Sequence, residues 1–221
     1  MMLRTRCAFV VAMALAGSAS CGSDNVTEPS ILTIEAGIPT GWVLVGGRQA
    51  TYVVGTDTHA HSGRYALSIG GTDTSVLRFN GVGQYLRADP YRGKRLRLRA
   101  WVRQIGIRGS DVGLWLRIDG PGVMQGFDNF SSRPLLGTAD WHQVESILDV
   151  PRDALEILFG ALMSGKGTFL VDDMTLDVIP ATGPTTNQLL GYQDLGVDSL
   201  TVANAAAGRP TVPTNLNFES K

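Results

Sequence analysis

The chain is poor in cysteine, nearly neutral and without long apolar segments after its first twenty residues, and each shortage excludes a class of protein. Only two of its 221 residues are cysteines, Cys7 and Cys21. A formal net charge of -1 gives no reason to expect nucleic acid or an anionic membrane surface as a partner. No later segment reaches the roughly 20 apolar residues of a transmembrane helix. The 27 glycines and 10 prolines instead indicate a globular domain with many turns.

The sequence also lacks the common signatures of catalysis. It contains no G-x-S-x-G elbow and no H-E-x-x-H motif, which mark many hydrolases and zinc proteases. His59 and His61 are neighbours in sequence but His142 is distant, whereas a zinc site usually needs three or four ligands. Isolated aspartates in loops are typical turn formers. We therefore expect a protein that is not an enzyme.

The first residues have the layout of a secretory signal. Arg4 and Arg6 precede an apolar run from Cys7 to Gly17, and small residues then lead to Cys21. A charged start, an apolar core of roughly 7–15 residues and small residues before the cut are typical of signal peptides. The apolar run is too short to span a bilayer. We therefore predict a signal peptide over residues 1–20.

Cys21 is the candidate site of lipid attachment. The small residues before it resemble the lipobox of bacterial lipoproteins, although that family usually has an aliphatic residue where this chain has Ser18. The resemblance implies a cell-envelope lipoprotein, in the outer membrane or at the cell surface, that contacts the membrane only through its N-terminal lipid. Ordinary secretion is the alternative. Cys7 leaves with the signal in either case, so the mature chain has no internal disulfide.

The rest of the chain divides into a tether, a β-rich domain and a tail. Residues 21–30 are small, polar and acidic, as in a flexible tether. Between residues 31 and 179 apolar residues alternate with period two in short runs, which indicates antiparallel strands with one buried face. We predict an all-β fold, an antiparallel jelly-roll β-sandwich of about nine strands. The predicted strands are Leu32–Ile34, Thr51–Val54, Tyr65–Ile69, Val76–Phe79, Arg95–Val102, Gly113–Asp119, Gln143–Val150, Leu155–Leu162 and Thr168–Val178.

Residues 180–221 have a weaker pattern and are predicted to be a linker and an irregular tail. Leu216–Ser220 echoes Leu32–Ala36 near the start of the domain. Five similar residues are weak evidence of a repeat. The echo is either a coincidence or the start of the first strand of a further module.

Several segments, taken in order, carry a family resemblance. The outer ones are Leu32–Glu35, Pro39–Trp42, His61–Leu67 and Phe169–Leu176. They resemble jelly-roll carbohydrate-binding modules and their galactose-binding-like relatives. The middle ones are Pro90–Lys94, Asp128–Asn129, Arg133–Pro134, Gly137–Thr138 and Asp140–Trp141. They are similar to accessory modules found beside erythromycin-esterase-like hydrolases in exported bacterial proteins. The resemblance implies a non-catalytic module that binds sugar in some members and has only a structural or docking role in others.

Two predicted strands carry a candidate ligand-binding face. Trp101 and Arg99 alternate with aliphatic residues on one strand, and Trp115 and Arg117 do so on the next. If a simple hairpin joins the strands, the two tryptophans lie side by side as a platform for a pyranose ring. The arginines then face each other and favour an anionic neighbour or ligand. The alternative is that a loop or the tail covers the tryptophans and acidic side chains pair the arginines.

Asp172 and Glu35 are the candidate metal ligands. Asp172 shares the inward parity of its strand with Met174, and an inward carboxylate needs compensation. Some relatives of the module place a structural calcium between these two strand ends, and calcium prefers oxygen ligands. The alternative is that the carboxylate accepts backbone N–H bonds from a loop.

The sequence thus predicts an exported, non-catalytic binding module for a glycan or another polar surface ligand. The alternative function is a structural or interaction module that precedes a partner hydrolase domain.

Overall fold

Antiparallel strands dominate the chain, as the period-two pattern predicted. The computed structural model describes residues 35–46, 52–72 and 79–221, and residues 31–221 belong to one compact unit. The described strands are, in chain order, β1 Glu35–Ala36, β2 Val43–Gly46, β3 Tyr52–Asp57, β4 Ala66–Thr72, β5 Asn80–Arg87, β6 Arg95–Asp119, β7 Val123–Asp128, β8 Gly137–Asp149, β9 Glu156–Ile179 and β10 Gln193–Asp194. A 3₁₀ turn spans Asp89–Tyr91 and one helix, α1, spans Ser199–Ala207.

Two long strands, β6 and β9, belong to both layers of a sandwich. They contain 25 and 24 residues and pair with each other along most of their length. The first half of β6 and the second half of β9 lie in sheet I, in the order β1-β3-β4-β9-β6-β8. Their other halves lie in sheet II, in the order β2-β5-β9-β6-β7-β10. The prediction of an all-β jelly-roll sandwich is confirmed.

Glycines mark the place where β6 and β9 pass from one sheet to the other. The pairing register of β6 with β9 shifts twice between Ile105 and Val112. Opposite these shifts, Gly165 and Gly167 of β9 have φ of +124° and +113°, which residues with a side chain rarely adopt. A side chain on Gly109 would collide with the carbonyl of Ser164. The bend therefore depends on backbones that approach closely.

The hydrophobic core lies between the two sheets. Inward residues of sheet I and sheet II form one cluster, and many of its side chains are fully buried. Burial on this scale contributes most of the folding free energy, at about 25 cal/mol per Å² of apolar surface. The largest fully buried side chains are Phe159, Phe169, Phe218, Leu67, Ile69, Leu86, Leu96, Leu98, Ile107, Leu114, Leu116 and Ile118.

The tail is irregular, as the sequence predicted, apart from β10 and helix α1, but it packs against the sandwich. Helix α1 begins after Asp198, whose side chain accepts the backbone N–H of Thr201. Further on, Phe218 is fully buried and its ring centroid lies 5.1 Å from that of Trp42. The residues that echo Leu32–Ala36 thus fill part of the core. Leu32–Ile34, the signal peptide, Cys21 and the tether lie outside the described residues.

The predicted hairpin between Arg95–Val102 and Gly113–Asp119 is wrong. Both segments belong to the continuous strand β6 and pair with β9. The sequence pattern could not separate a turn from a bend, because both need glycines and polar residues. In the described part of the chain, no helix has the length and apolar character to cross a membrane.

Candidate functional site

The continuity of β6 separates the residues that the sequence grouped into one site. Trp101 and Arg99 lie in the sheet I half of β6, and Trp115 and Arg117 lie in the sheet II half. All four side chains have the outward parity, since Leu98, Ala100, Leu114 and Leu116 fill the core. The two tryptophans therefore lie on opposite outer faces of the sandwich and form no common platform.

On sheet I, Trp101 is covered by a histidine. The ring of His61 stacks on the indole of Trp101 at a centroid distance of 4.0 Å and an interplanar angle of 13°. Trp141 meets the same histidine edge-on at 5.7 Å. His61 Nδ1 lies 2.7 Å from the Asp173 carboxylate, which fixes the ring orientation. One face of Trp101 is thus occupied by the protein itself, and Arg99 lies directly across from Glu145 of β8.

On sheet II, three rows of residues cross the outer face, and a groove of about 440 Å³ lies over them. This volume is in the range of roughly 300–1,000 Å³ that is usual for small-molecule sites. We call it the sheet II groove. Its lining residues are Leu44, Val45, Gly46, Phe79, Tyr85, Trp115, Arg117, Phe127, Asn129, Leu158 and Leu162.

The strand register explains why the groove is there. One row runs Tyr85, Leu158, Arg117, Phe127 across β5, β9, β6 and β7. Another row, four residues further along β9, runs Val45, Gly81, Leu162 across β2, β5 and β9. The row between them has glycine at two positions, Gly83 and Gly160. Because two adjacent positions of this middle row have no side chain, the larger side chains on either side of them form the walls of a trench.

Trp115 fills the floor of this trench. A Cβ atom on Gly83 would lie 2.5 Å from Cζ2 of the indole, and one on Gly160 would lie 2.9 Å from Nε1. The indole N–H donates to the carbonyl of Val82 at 3.2 Å. The side chain is only 7% exposed and packs with Leu158 and Leu162. Trp115 is therefore a buried support of the groove, where the sequence predicted a projecting platform.

The polar end of the groove is electrically balanced. Arg117 donates from Nε and Nη2 to the two oxygens of Asp119, at 2.7 and 2.8 Å. Asp119 lies across from Glu156, which in turn accepts a hydrogen bond from Arg209 at 2.9 Å. Burial raises the pKa of Asp119 and of Glu156, and the arginines oppose this shift. Arg117 thus brings N–H donors to the groove but little net charge.

The region around Asp172 does not fit a calcium ion. Asp172 is completely buried and accepts the backbone N–H groups of His61, Ser62 and Asp173, at 2.7–3.0 Å. Two further N–H groups of the same turn, those of Arg64 and Tyr65, donate to Glu219. Calcium requires oxygen ligands, whereas this turn presents N–H donors. The side chain of Glu35 lies outside the described residues, and no cluster of three metal-ligating side chains occurs in 35–46, 52–72 and 79–221.

The buried Asp172 carboxyl should make stability depend on pH. Burial raises the pKa of Asp172 from 3.8 to about 6, against the hydrogen bonds from the turn. The folded state therefore holds this proton more tightly, and the stability it adds is lost as pH rises from about 4 to about 6. We expect the difference in melting temperature between the wild type and Asp172→Asn to fall over that window and stay constant above pH 7. If the difference in melting temperature between the two proteins is the same at every pH, the assignment of the raised pKa to Asp172 is wrong.

Sequence reasoning missed most of the groove. Tyr85 belongs to β5, which begins just after the predicted strand Val76–Phe79 and was not itself predicted. Phe127 and Asn129 belong to the unpredicted β7 and the loop after it. A usable signal was present, since glycines occupy the outward positions of β5 around the inward Val82. Among the predicted binding residues, Trp115 and Arg117 line the groove, and Trp101 and Arg99 do not.

The fold and the groove define a jelly-roll β-sandwich with a ligand-sized site on one outer face. No protein-family model matches the chain. A curated Bacillus subtilis (strain 168) protein, the uncharacterized HTH-type transcriptional regulator YbfP, is 34% identical over 151 residues, which are 66% of this chain and 50% of that protein. The chain thus spans half the length of this relative.

Two solved structures resemble the fold at low identity. An apo cyclase from Fischerella sp. has a TM-score of 0.49 and 13% identity, and the match covers 72% of this chain and 93% of that one. The CBM22-1–CBM22-2 tandem domain of Paenibacillus barcinonensis Xyn10C has a TM-score of 0.48 and 16% identity, covering 69% and 46%.

Proposed function

We propose that the chain is a non-catalytic module that binds a carbohydrate in the sheet II groove. The observation that carries the proposal is the composition of the groove: aromatic and aliphatic side chains along the trench, with Arg117 and Asn129 at its polar end. The C–H face of a sugar ring packs on apolar and aromatic surface, while N–H donors bond its hydroxyls. Sites of this kind combine an apolar lining with a few placed polar groups.

The ligand at this site is expected to be neutral. Arg117 is already paired with Asp119, and no carboxylate lines the groove. The remaining N–H groups of Arg117 bond neutral oxygens without a net charge to balance. Of the two sequence-based alternatives for Arg117, an anionic neighbour or an anionic ligand, Asp119 supplies the first. A neutral ligand implies an affinity that changes little with added salt.

Binding should depend on the half-buried groove residues Phe127 and Arg117. We expect the full chain to bind a subset of neutral oligosaccharides on a glycan array. Phe127→Ala and Arg117→Gln should each weaken the binding of an array hit by about fivefold or more, since anchoring side chains contribute more than about 1 kcal/mol. Titration calorimetry measures the effect.

Tyr192→Ala is the matched control, because Tyr192 is 62% exposed and lies outside the groove. It should bind like the wild type. Equal affinities for the wild type and both groove variants would move the site elsewhere on the molecule, and a blank array would reject the proposal.

A second candidate function is an interaction module within a larger protein, such as one with a hydrolase domain. Two observations favour it. The chain spans half the length of its curated relative, and the tail exposes the apolar side chains of Leu190 and Leu200. The described residues 79–221 contain a single α-helix, so a helix-turn-helix is not in that part. Analytical ultracentrifugation of the wild type and of the double variant Leu190→Ser/Leu200→Ser tests whether these side chains drive association.

We also propose that the module is exported and anchored by lipid at Cys21. The charged start, the short apolar run and the small residues before Cys21 support this. Metabolic labelling with a palmitate analogue should mark the wild type and fail to mark Cys21→Ser. A mature form without lipid would reject the lipid anchor and favour the alternative, ordinary secretion.

A further inference from the structure

The sheet II groove differs in character from one end to the other. At one end, Arg117 and Asn129 supply N–H donors. At the other end, Val45 and Leu162 form the wall, and Phe79 packs where β2 ends, with its Cδ2 3.2 Å from the position of a Cβ on Gly46. No polar side chain lines this second end.

The two ends are far enough apart to hold two different parts of one ligand. Leu158, which pairs with Arg117, and Leu162, which lies in the same row as Val45 with Gly81 between them, are four residues apart on β9. Strands rise by about 3.3 Å per residue, so the two rows are about 13 Å apart. This length accommodates a sugar ring and a substituent placed next to it.

A plain sugar would be a poor occupant of the apolar end. Hydroxyl groups placed against Val45 and Leu162 would lose their hydrogen bonds to water without replacement, which is unfavourable. An apolar group there would instead remove hydrocarbon surface from water on both sides. Phe79 and Leu44 are 42% and 40% exposed, so large apolar surface is available for a ligand to cover.

We infer that the ligand of this groove is a sugar that carries an apolar substituent, either an acyl ester or an aromatic aglycone. The inference rests on the proposed carbohydrate binding and adds the chemical class of the ligand. The sugar lies at the Arg117 end and the substituent lies between Val45, Leu162 and Phe79.

Matched pairs of glycosides test the inference. Methyl and p-nitrophenyl β-glycosides of xylose, glucose, galactose and N-acetylglucosamine are titrated into the full chain, with free p-nitrophenol as a control. For at least one sugar, the p-nitrophenyl glycoside should bind at least tenfold more tightly than the methyl glycoside. Phe79→Ser should remove this advantage, so that the variant binds the p-nitrophenyl glycoside no more tightly than the methyl glycoside. Leu136→Ser is the matched control, because Leu136 is 48% exposed and lies outside the groove.

Each other outcome overturns a specific part. If the methyl and p-nitrophenyl glycosides bind equally well, the inference of an apolar substituent is wrong, but the proposal of carbohydrate binding stands. Binding of p-nitrophenol as tight as that of its glycosides means that the sugar contributes nothing, which overturns the inference. If no glycoside binds and the glycan array is also blank, carbohydrate binding itself fails and the inference fails with it.

Discussion

Replacing Phe218 with alanine should destabilise the domain by about 3–5 kcal/mol, the usual cost of truncating a core aromatic side chain. Phe218 is fully buried and stacks against Trp42, although it lies three residues from the end of the chain. Its neighbour Leu216 accepts the backbone N–H of Met174 through its carbonyl, at 3.0 Å. The C-terminal residues therefore belong to the core. Urea unfolding measures the loss.

Val212→Ala provides the comparison, because Val212 is 60% exposed on the same tail. It should change the free energy of unfolding by no more than about 0.5 kcal/mol. Glu219→Gln should fall between the two, since Glu219 accepts the N–H groups of Arg64 and Tyr65 in a more exposed setting. If Phe218→Ala is as stable as Val212→Ala, the tail is not part of the folded unit in solution.

Removing the carboxylate of Asp128 should have a comparable effect, about 3 kcal/mol, because it breaks a salt bridge to a fully buried carboxylate and takes the acceptor from the buried Ser146 hydroxyl and the partly exposed Arg133. Asp128 has no exposed surface and accepts two hydrogen bonds from Arg133, at 2.9 and 2.6 Å. It also accepts the hydroxyl groups of Ser146 and Thr186. One carboxylate thus joins a loop, strand β8 and the start of the tail. Asp128→Ala is compared with the wild type by denaturant unfolding at pH 7.

The pH dependence of this difference gives a second test. Burial raises the pKa of Asp128, but the hydrogen bonds from Arg133, Ser146 and Thr186 outweigh it, and the pKa is lowered below 3.8. The stabilisation is therefore complete above the unfolded value and is lost as pH falls through the folded one. The difference in the free energy of unfolding between the wild type and Asp128→Ala should be constant from pH 5 to 7 and shrink below pH 4. Asp194→Ala, on exposed β10, should have the same free energy of unfolding as the wild type.

The strands in which apolar residues alternate regularly were predictable from the sequence, and the glycine-rich strand β5 was not. Leu96, Leu98, Leu114 and Leu116 alternate with polar residues, so the two halves of β6 were found. The gap between them looked like a turn because Gly106 and Gly109 interrupt the pattern, and only the pairing with β9 shows one bent strand. Strand β5 was missed because its outward positions carry glycine, which lowers strand propensity.

The candidate site was less predictable than the fold, because it depends on which strands become neighbours. Trp115 and Arg117 were singled out correctly as outward residues. Their neighbours Tyr85 and Leu158 come from strands that lie about 30 and 40 residues away in sequence, and periodicity carries no information on such pairing. For the same reason the sequence wrongly predicted that Trp101 lies beside Trp115. The ring that stacks on Trp101 is His61, from the turn between β3 and β4.

The passage of β6 and β9 through both sheets has a consequence for how the domain opens. A sandwich whose sheets share no strand could lose one layer while the other persists. Here the same two backbones hold the middle of each layer, so breaking the pair in one sheet loosens the other. Amide hydrogens of Leu98 and Leu116, which lie in different sheets on β6, should therefore exchange with deuterium through the same global opening, with one shared free energy.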